Sequence, residues 1–212
     1  MARKSESTII FGLSVVLLLL SAGIAFAGSE GEALLMNVYY GTGAGSSLDG
    51  NGIHNTFFGY EAGKSTTGGD YNSFIGKHSG YSNTTGSYNT FFGRSAGYFN
   101  STGSSNAFLG DFSGYLNNTG SYNTFLGKSS GFSTTSGLSN TFLGNSSGFS
   151  NNTGSNNTYV GDSAGTSNTT GSFNVFMGYT AGANETGSQR LYIDNSGTTT
   201  PLIYGEFDNN VL

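Results

Sequence analysis

Residues 123–139 read Asn123-Thr-Phe-Leu-Gly-Lys-Ser-Ser-Gly-Phe-Ser-Thr-Thr-Ser-Gly-Leu-Ser139. The segment after it, residues 140–156, starts again as Asn140-Thr-Phe-Leu-Gly-Asn-Ser-Ser-Gly-Phe-Ser. The period is 17 and it runs in both directions. Asparagine returns at Asn55, Asn72, Asn89, Asn106, Asn123, Asn140, Asn157 and Asn174. Glycine follows four residues later, from Gly59 to Gly178, and again four residues on, from Gly63 to Gly182. A third glycine column starts at Gly69 and reaches Gly187 only after losing one residue. With asparagine as position 1, these glycines occupy positions 5, 9 and 15.

A 17-residue unit is too short for helical repeats, which need about 33 residues or more. Its apolar residues come in short segments bounded by glycines, which is strand and turn patterning. The predicted fold is all-β, a parallel β-solenoid (β-roll) of about eight 17-residue coils over residues 55–189. Each coil is expected to hold two short strands, one around Asn-Thr-Phe-Leu and one around Tyr-Ser-Asn-Thr-Thr. Stacking of coils buries what a lone coil cannot.

Position 3 is aromatic throughout: Phe57, Phe74, Phe91, Phe108, Phe125, Phe142, Tyr159 and Phe176. Rings at strand spacing can pack face on face, so this column is expected inside. The asparagine column reads either as an amide ladder along the axis or as a turn position. Position 4 is apolar as well: Phe58, Ile75, Phe92, Leu109, Leu126, Leu143, Val160 and Met177. Neighbours in a strand point to opposite faces. Either the strand bends there, or an apolar stripe lies outside and implies a partner. Homo-oligomerisation through this stripe is the expectation.

Composition narrows the function classes. Of 212 residues, 36 are glycine, one is proline, and cysteine and tryptophan are absent. Without cysteine there is no disulfide framework, thiolate metal site or cysteine nucleophile. Charged residues are 9% and the net charge is −5, which argues against a nucleic-acid partner. His54 and His78 have no periodic acidic neighbour, so no metal or acid–base role is expected. Asp111 and Asp162 share position 6 with Tyr60, Lys77, Arg94, Lys128, Asn145 and Tyr179, and a calcium roll would need a regular aspartate column. No phosphate loop or nucleophile elbow is supported. No enzyme, cofactor or metal is therefore expected. Asn-x-Ser/Thr triplets such as Asn83-Thr-Thr85, Asn100-Ser-Thr102 and Asn168-Thr-Thr170 arise from the repeat itself and carry little weight as glycosylation sites.

The flanks read differently. Arg3 and Lys4, an apolar run from Ile9 to Leu20, and Ala25-Phe-Ala27 describe a Sec signal peptide over residues 1–27, cleaved after Ala27. That predicts a secreted or cell-surface protein. Residues 28–54 form an irregular lead-in, with Val38-Tyr39-Tyr40-Gly41 as a degenerate first coil acting as a cap. Residues 190–212 carry two strands around a turn-rich loop, a C-terminal β-hairpin. Asp208-Asn-Asn-Val-Leu212 reads as the start of another strand, as in a fragment of a longer protein.

The units Asn72-Ser-Phe-Ile-Gly76, Asn123-Thr-Phe-Leu-Gly127 and Asn140-Thr-Phe-Leu-Gly144, with their following Ser/Ala-Gly corners, resemble the head repeats of YadA-like trimeric autotransporter adhesins. The resemblance covers about residues 55–187. It implies a left-handed β-roll, three chains packed into a trimer, a place at the bacterial outer membrane or cell surface, and binding of host or matrix surfaces. The family's usual repeat is about three residues shorter, which bears on trimer geometry more than on the solenoid. Neither a heptad stalk nor a membrane β-barrel segment is evident in the sequence. The function so implied is that of a structural and adhesive repeat protein, its ligand read by position 6. One alternative is an ice- or crystal-binding solenoid, motivated by threonine columns at position 2 (Thr56, Thr90, Thr124, Thr141, Thr158) and position 14 (Thr85, Thr102, Thr119, Thr153, Thr170). The other is a carbohydrate-active β-helix or fibre module.

Overall fold

A computed structural model describes residues 24–26, 37–48 and 51–212. Among the described residues twelve strands form one sheet in sequence order. They are β1 (Ile24–Phe26), β2 (Val38–Tyr40), β3 (Thr56–Phe58), β4 (Ser73–Ile75), β5 (Thr90–Phe92), β6 (Ala107–Leu109), β7 (Thr124–Leu126), β8 (Thr141–Leu143), β9 (Thr158–Val160), β10 (Val175–Met177), β11 (Arg190–Ile193) and β12 (Ile203–Glu206). From β2 to β11 every pairing is parallel, while β1 on β2 and β12 on β11 are antiparallel. Within the array the register matches like with like, as in Thr124↔Thr141, Phe125↔Phe142 and Leu126↔Leu143. The molecule is a parallel β-solenoid closed by a C-terminal hairpin. Apart from Ile24–Phe26, the segment read as a signal peptide lies outside the described residues, as do residues 28–36 of the lead-in.

The core is one ring wide. All eight position-3 rings from Phe57 to Phe176 are fully buried. Their stacks run from Phe57 on Phe74, 5.0 Å between centroids and 12° between planes, to Tyr159 on Phe176 at 4.7 Å and 5°. Each buried ring contributes about 1.5–3 kcal/mol of transfer free energy. Beside this column run the position-1 asparagines, also buried. Each donates Nδ2–H to the position-15 glycine carbonyl of its own coil, as Asn106 does to Gly120 O at 2.8 Å. Each Oδ1 accepts the backbone N–H of the next asparagine, as Asn89 Oδ1 does from Asn106 at 3.0 Å. One amide thus closes its coil and joins it to the next, a task that needs a donor and an acceptor on one short side chain.

Two glycine columns have a direct steric cause. Gly97 sits at φ +60°, and a Cβ there would land in the Phe91 ring. Gly110 sits at φ +139°, and a Cβ would strike the carbonyl of Gly127 one coil on. L-residues with a side chain are excluded from both places.

One expectation, the second strand of each coil, needs correction, and two others become definite. The array has nine turns, because residues 37–54 make an 18-residue coil: Asn37 Oδ1 accepts from Asn55 N at 2.7 Å, and Asn37 Nδ2–H donates to Gly52 O. The stretch expected to form a second strand per coil is a chain of turns and bends. Its backbone still bonds between coils, as in Phe99 N–H to Tyr115 O at 3.0 Å. The left-handed residue at position 7 and the glycine at position 9 turn the chain just before this stretch, and its own residues continue in turn and bend instead of extending. The strand itself does not bend at position 4: position 3 faces in and position 4 faces out.

Candidate interaction surfaces

The outer face of the sheet is built by strand alternation alone. Positions 2 and 4 flank the buried ring and point together into solvent. Position 4 presents Tyr40, Phe58, Ile75, Phe92, Leu109, Leu126, Leu143, Val160, Met177 and Ile193, with Phe58 and Phe92 each more than half exposed. Position 2 presents mainly threonine and serine. Neither rank holds a charged side chain from β2 to β10. At strand spacing the face is about 43 Å long.

A third rank borders it. Position 17 is occupied by Tyr71, Tyr88, Tyr122 and Phe173 among smaller residues, all four exposed. Every residue at this position adopts left-handed backbone, from Tyr71 at φ 55° to Phe173 at φ 59°. For a bulky side chain that conformation costs about 1–2 kcal/mol. The same corner recurs in every coil, with Ser105, Ser139 and Asn156 as well, and the aromatic rings placed on it stand exposed. His54 and Tyr71 stack at 4.9 Å, and Tyr71 and Tyr88 at 5.0 Å. The signal for this rank was the tyrosine ending several repeats, which carried no reading of exposure.

Position 6 is exposed in most coils, but several of its charges are engaged along the axis. Arg94 lies 3.4 Å from Asp111 and over the Phe112 ring, Asn145 donates to Asp162, and Lys77 lies over Tyr60. At the neighbouring corner Glu61 meets Lys64 at 2.8 Å and His78 at 3.4 Å. The hydrogen bond from Lys64 holds the Glu61 carboxyl below its usual range, and the same bond, with help from Tyr81, pushes Lys64 up to about 12. Both groups are partly exposed, so the pairing is still screened by salt.

The two threonine columns do not share a face: position 2 lies on the strand, position 14 in a bend. The asparagines of the Asn-x-Ser/Thr triplets at Asn83, Asn100, Asn117, Asn151 and Asn168 are buried at position 12. Asn100 and Asn117 each donate to the asparagine one coil before, at 2.7 and 2.6 Å. In the folded chain these amides are inaccessible to a glycosylating enzyme. Among the described residues no group of three or more acidic, histidine or cysteine side chains could hold a metal ion.

No family model matches the chain, nor does any curated protein or solved structure.

Proposed function

We propose that this chain is a secreted or cell-surface structural and adhesive repeat protein, comparable to a YadA-like head, that works as a homo-oligomer. The supporting observation is the uncharged apolar sheet face. A face about 43 Å long and four residues wide offers about 550 Å² per copy, so a ring of three buries about 1,650 Å² over its three contacts. A continuous apolar face of that size is more than scattered surface apolar residues provide, and its burial comes from closing the ring. Rank 4 of one copy packing against the aromatic rank 17 of the next gives a heterologous contact that closes into a ring. The resemblance favours a ring of three. The position-6 rank stays on the outside, where host, matrix or neighbouring cell surfaces are met. The reading involves no catalytic step, no cofactor and no nucleic acid. Export by the leader places the protein outside the cytoplasm.

Light scattering on the purified protein tests it. The expected mass is three times that of one chain, falling to one in Phe92→Lys/Leu126→Lys, whose side chains leave the core untouched. A monomeric parent protein overturns the assembly.

A further inference from the structure

Position 11 breaks its own column. It is serine at Ser82, Ser133 and Ser150, but two neighbouring coils replace it with Phe99 and Leu116. Neither belongs to the buried core cluster, and Phe99 is 43% exposed. Burial in the core therefore gives no reason for either. Phe99 is held edge-on, 4.8 Å from the Tyr98 ring and 5.3 Å from the Tyr115 ring, so its orientation is fixed.

The two side chains floor an open groove of about 480 Å³, completed by Ser82, Ser101, Asn118 and Thr135. It crosses four coils, about 14 Å along the axis. Among the described residues the Ser82 and Ser101 hydroxyls and the Asn118 side-chain amide have no hydrogen-bond partner. No charged residue occurs at positions 10–13 of these coils. An apolar floor with a few free polar groups at its edge is the usual make-up of a small-ligand site.

The lining narrows the ligand class. An anion would find no cation. An apolar peptide would cover hydroxyls and an amide without bonding them, at a cost in desolvation. A neutral saccharide answers both, with C–H faces for Phe99 and Leu116 and hydroxyls for the edge. The coil spacing of 4.8 Å is on the scale of one pyranose ring. We propose that this groove binds a neutral oligosaccharide lying along the solenoid axis. The groove lies apart from the sheet face and does not depend on the assembly proposed above.

The test is isothermal titration of the full chain with cellohexaose, chitohexaose and maltohexaose, and with heparin as an anionic control. The variant is Phe99→Ser/Leu116→Ser, which restores the column's own residue and so keeps the coil; thermal melting checks that it does. At least one neutral hexasaccharide is expected to bind, with affinity at least about tenfold weaker in the variant. Binding of heparin alone, of no probe, or of the variant as tightly as the parent overturns the proposal.

Discussion

Across the eight coils from Asn55 onward, position 3 is phenylalanine in seven and tyrosine in one. The Tyr159 hydroxyl is buried without a hydrogen-bond partner. Burial pushes its pKa upward, and the nearby Asn174 side chain offsets only part of that. An unmade buried hydrogen bond costs about 1–3 kcal/mol. Tyr159→Phe is therefore expected to stabilise the protein by about 1 kcal/mol or more, read as a higher urea midpoint; an unchanged or lower midpoint refutes it. At this scale the sequence was readable wherever a residue repeats. It was silent where the structure depends on backbone sign. Serine, tyrosine, asparagine and phenylalanine all take φ near +60° at positions 7 and 17, and no residue preference marks them.

Position 12 carries a second amide ladder, and it is incomplete. Asn117 Nδ2–H donates to Asn100 Oδ1, but Asn117 Oδ1 has no partner because the next coil supplies Thr134. Thr134→Asn is expected to provide that donor and raise stability by about 1 kcal/mol. Thermal melting of the variant beside Thr119→Asn, at an exposed position off the ladder, separates ladder repair from a general gain by asparagine. A fall in melting temperature for Thr134→Asn rejects the ladder account. The strand Asn-Thr-Phe-Leu was legible because its alternation and glycine boundaries are local. The expected strand Tyr-Ser-Asn-Thr-Thr was not, since stacked turns satisfy the same inter-coil hydrogen bonds as a strand would. The exposed position-4 rank was legible as a choice between two geometries, and only the straight strand decided it.

For the whole molecule, the solenoid ends where its stacking geometry changes. After Phe176 the Tyr192 ring stands at 80°, and Tyr204 at 88° to that. Glu185 accepts from Tyr192 Oη at 2.9 Å and from Gly187 N–H at 2.6 Å, which fixes the turned ring. Burial, then this carboxylate, pushes the Tyr192 phenol up to about 12. Tyr159 shifts the same way. A folded pKa above the unfolded value of about 10 means full stability below about pH 10 and loss as pH rises toward the folded value. Melting followed by circular dichroism is expected to hold level from pH 7 to about pH 10 and then to drop, less so in Tyr192→Phe. No drop by pH 12 contradicts it. The overall architecture was legible from period and glycine columns, and the first turn from Val38-Tyr39-Tyr40-Gly41, whereas its 18-residue length hid that Asn37 begins the asparagine ladder. The two off-length coils, 37–54 and 174–189, both stand at array ends, where only one neighbour must match. Between them every coil meets its neighbours in the same strand register and through the same position-1 and position-3 ladders. Copy number is thereby uncoupled from foldability: unequal recombination that removes residues 123–139 shortens the rod by one strand spacing, about 4.8 Å, and leaves every rank in line. The gene encodes a ruler whose reach changes in whole steps, without passing through a misfolded intermediate length.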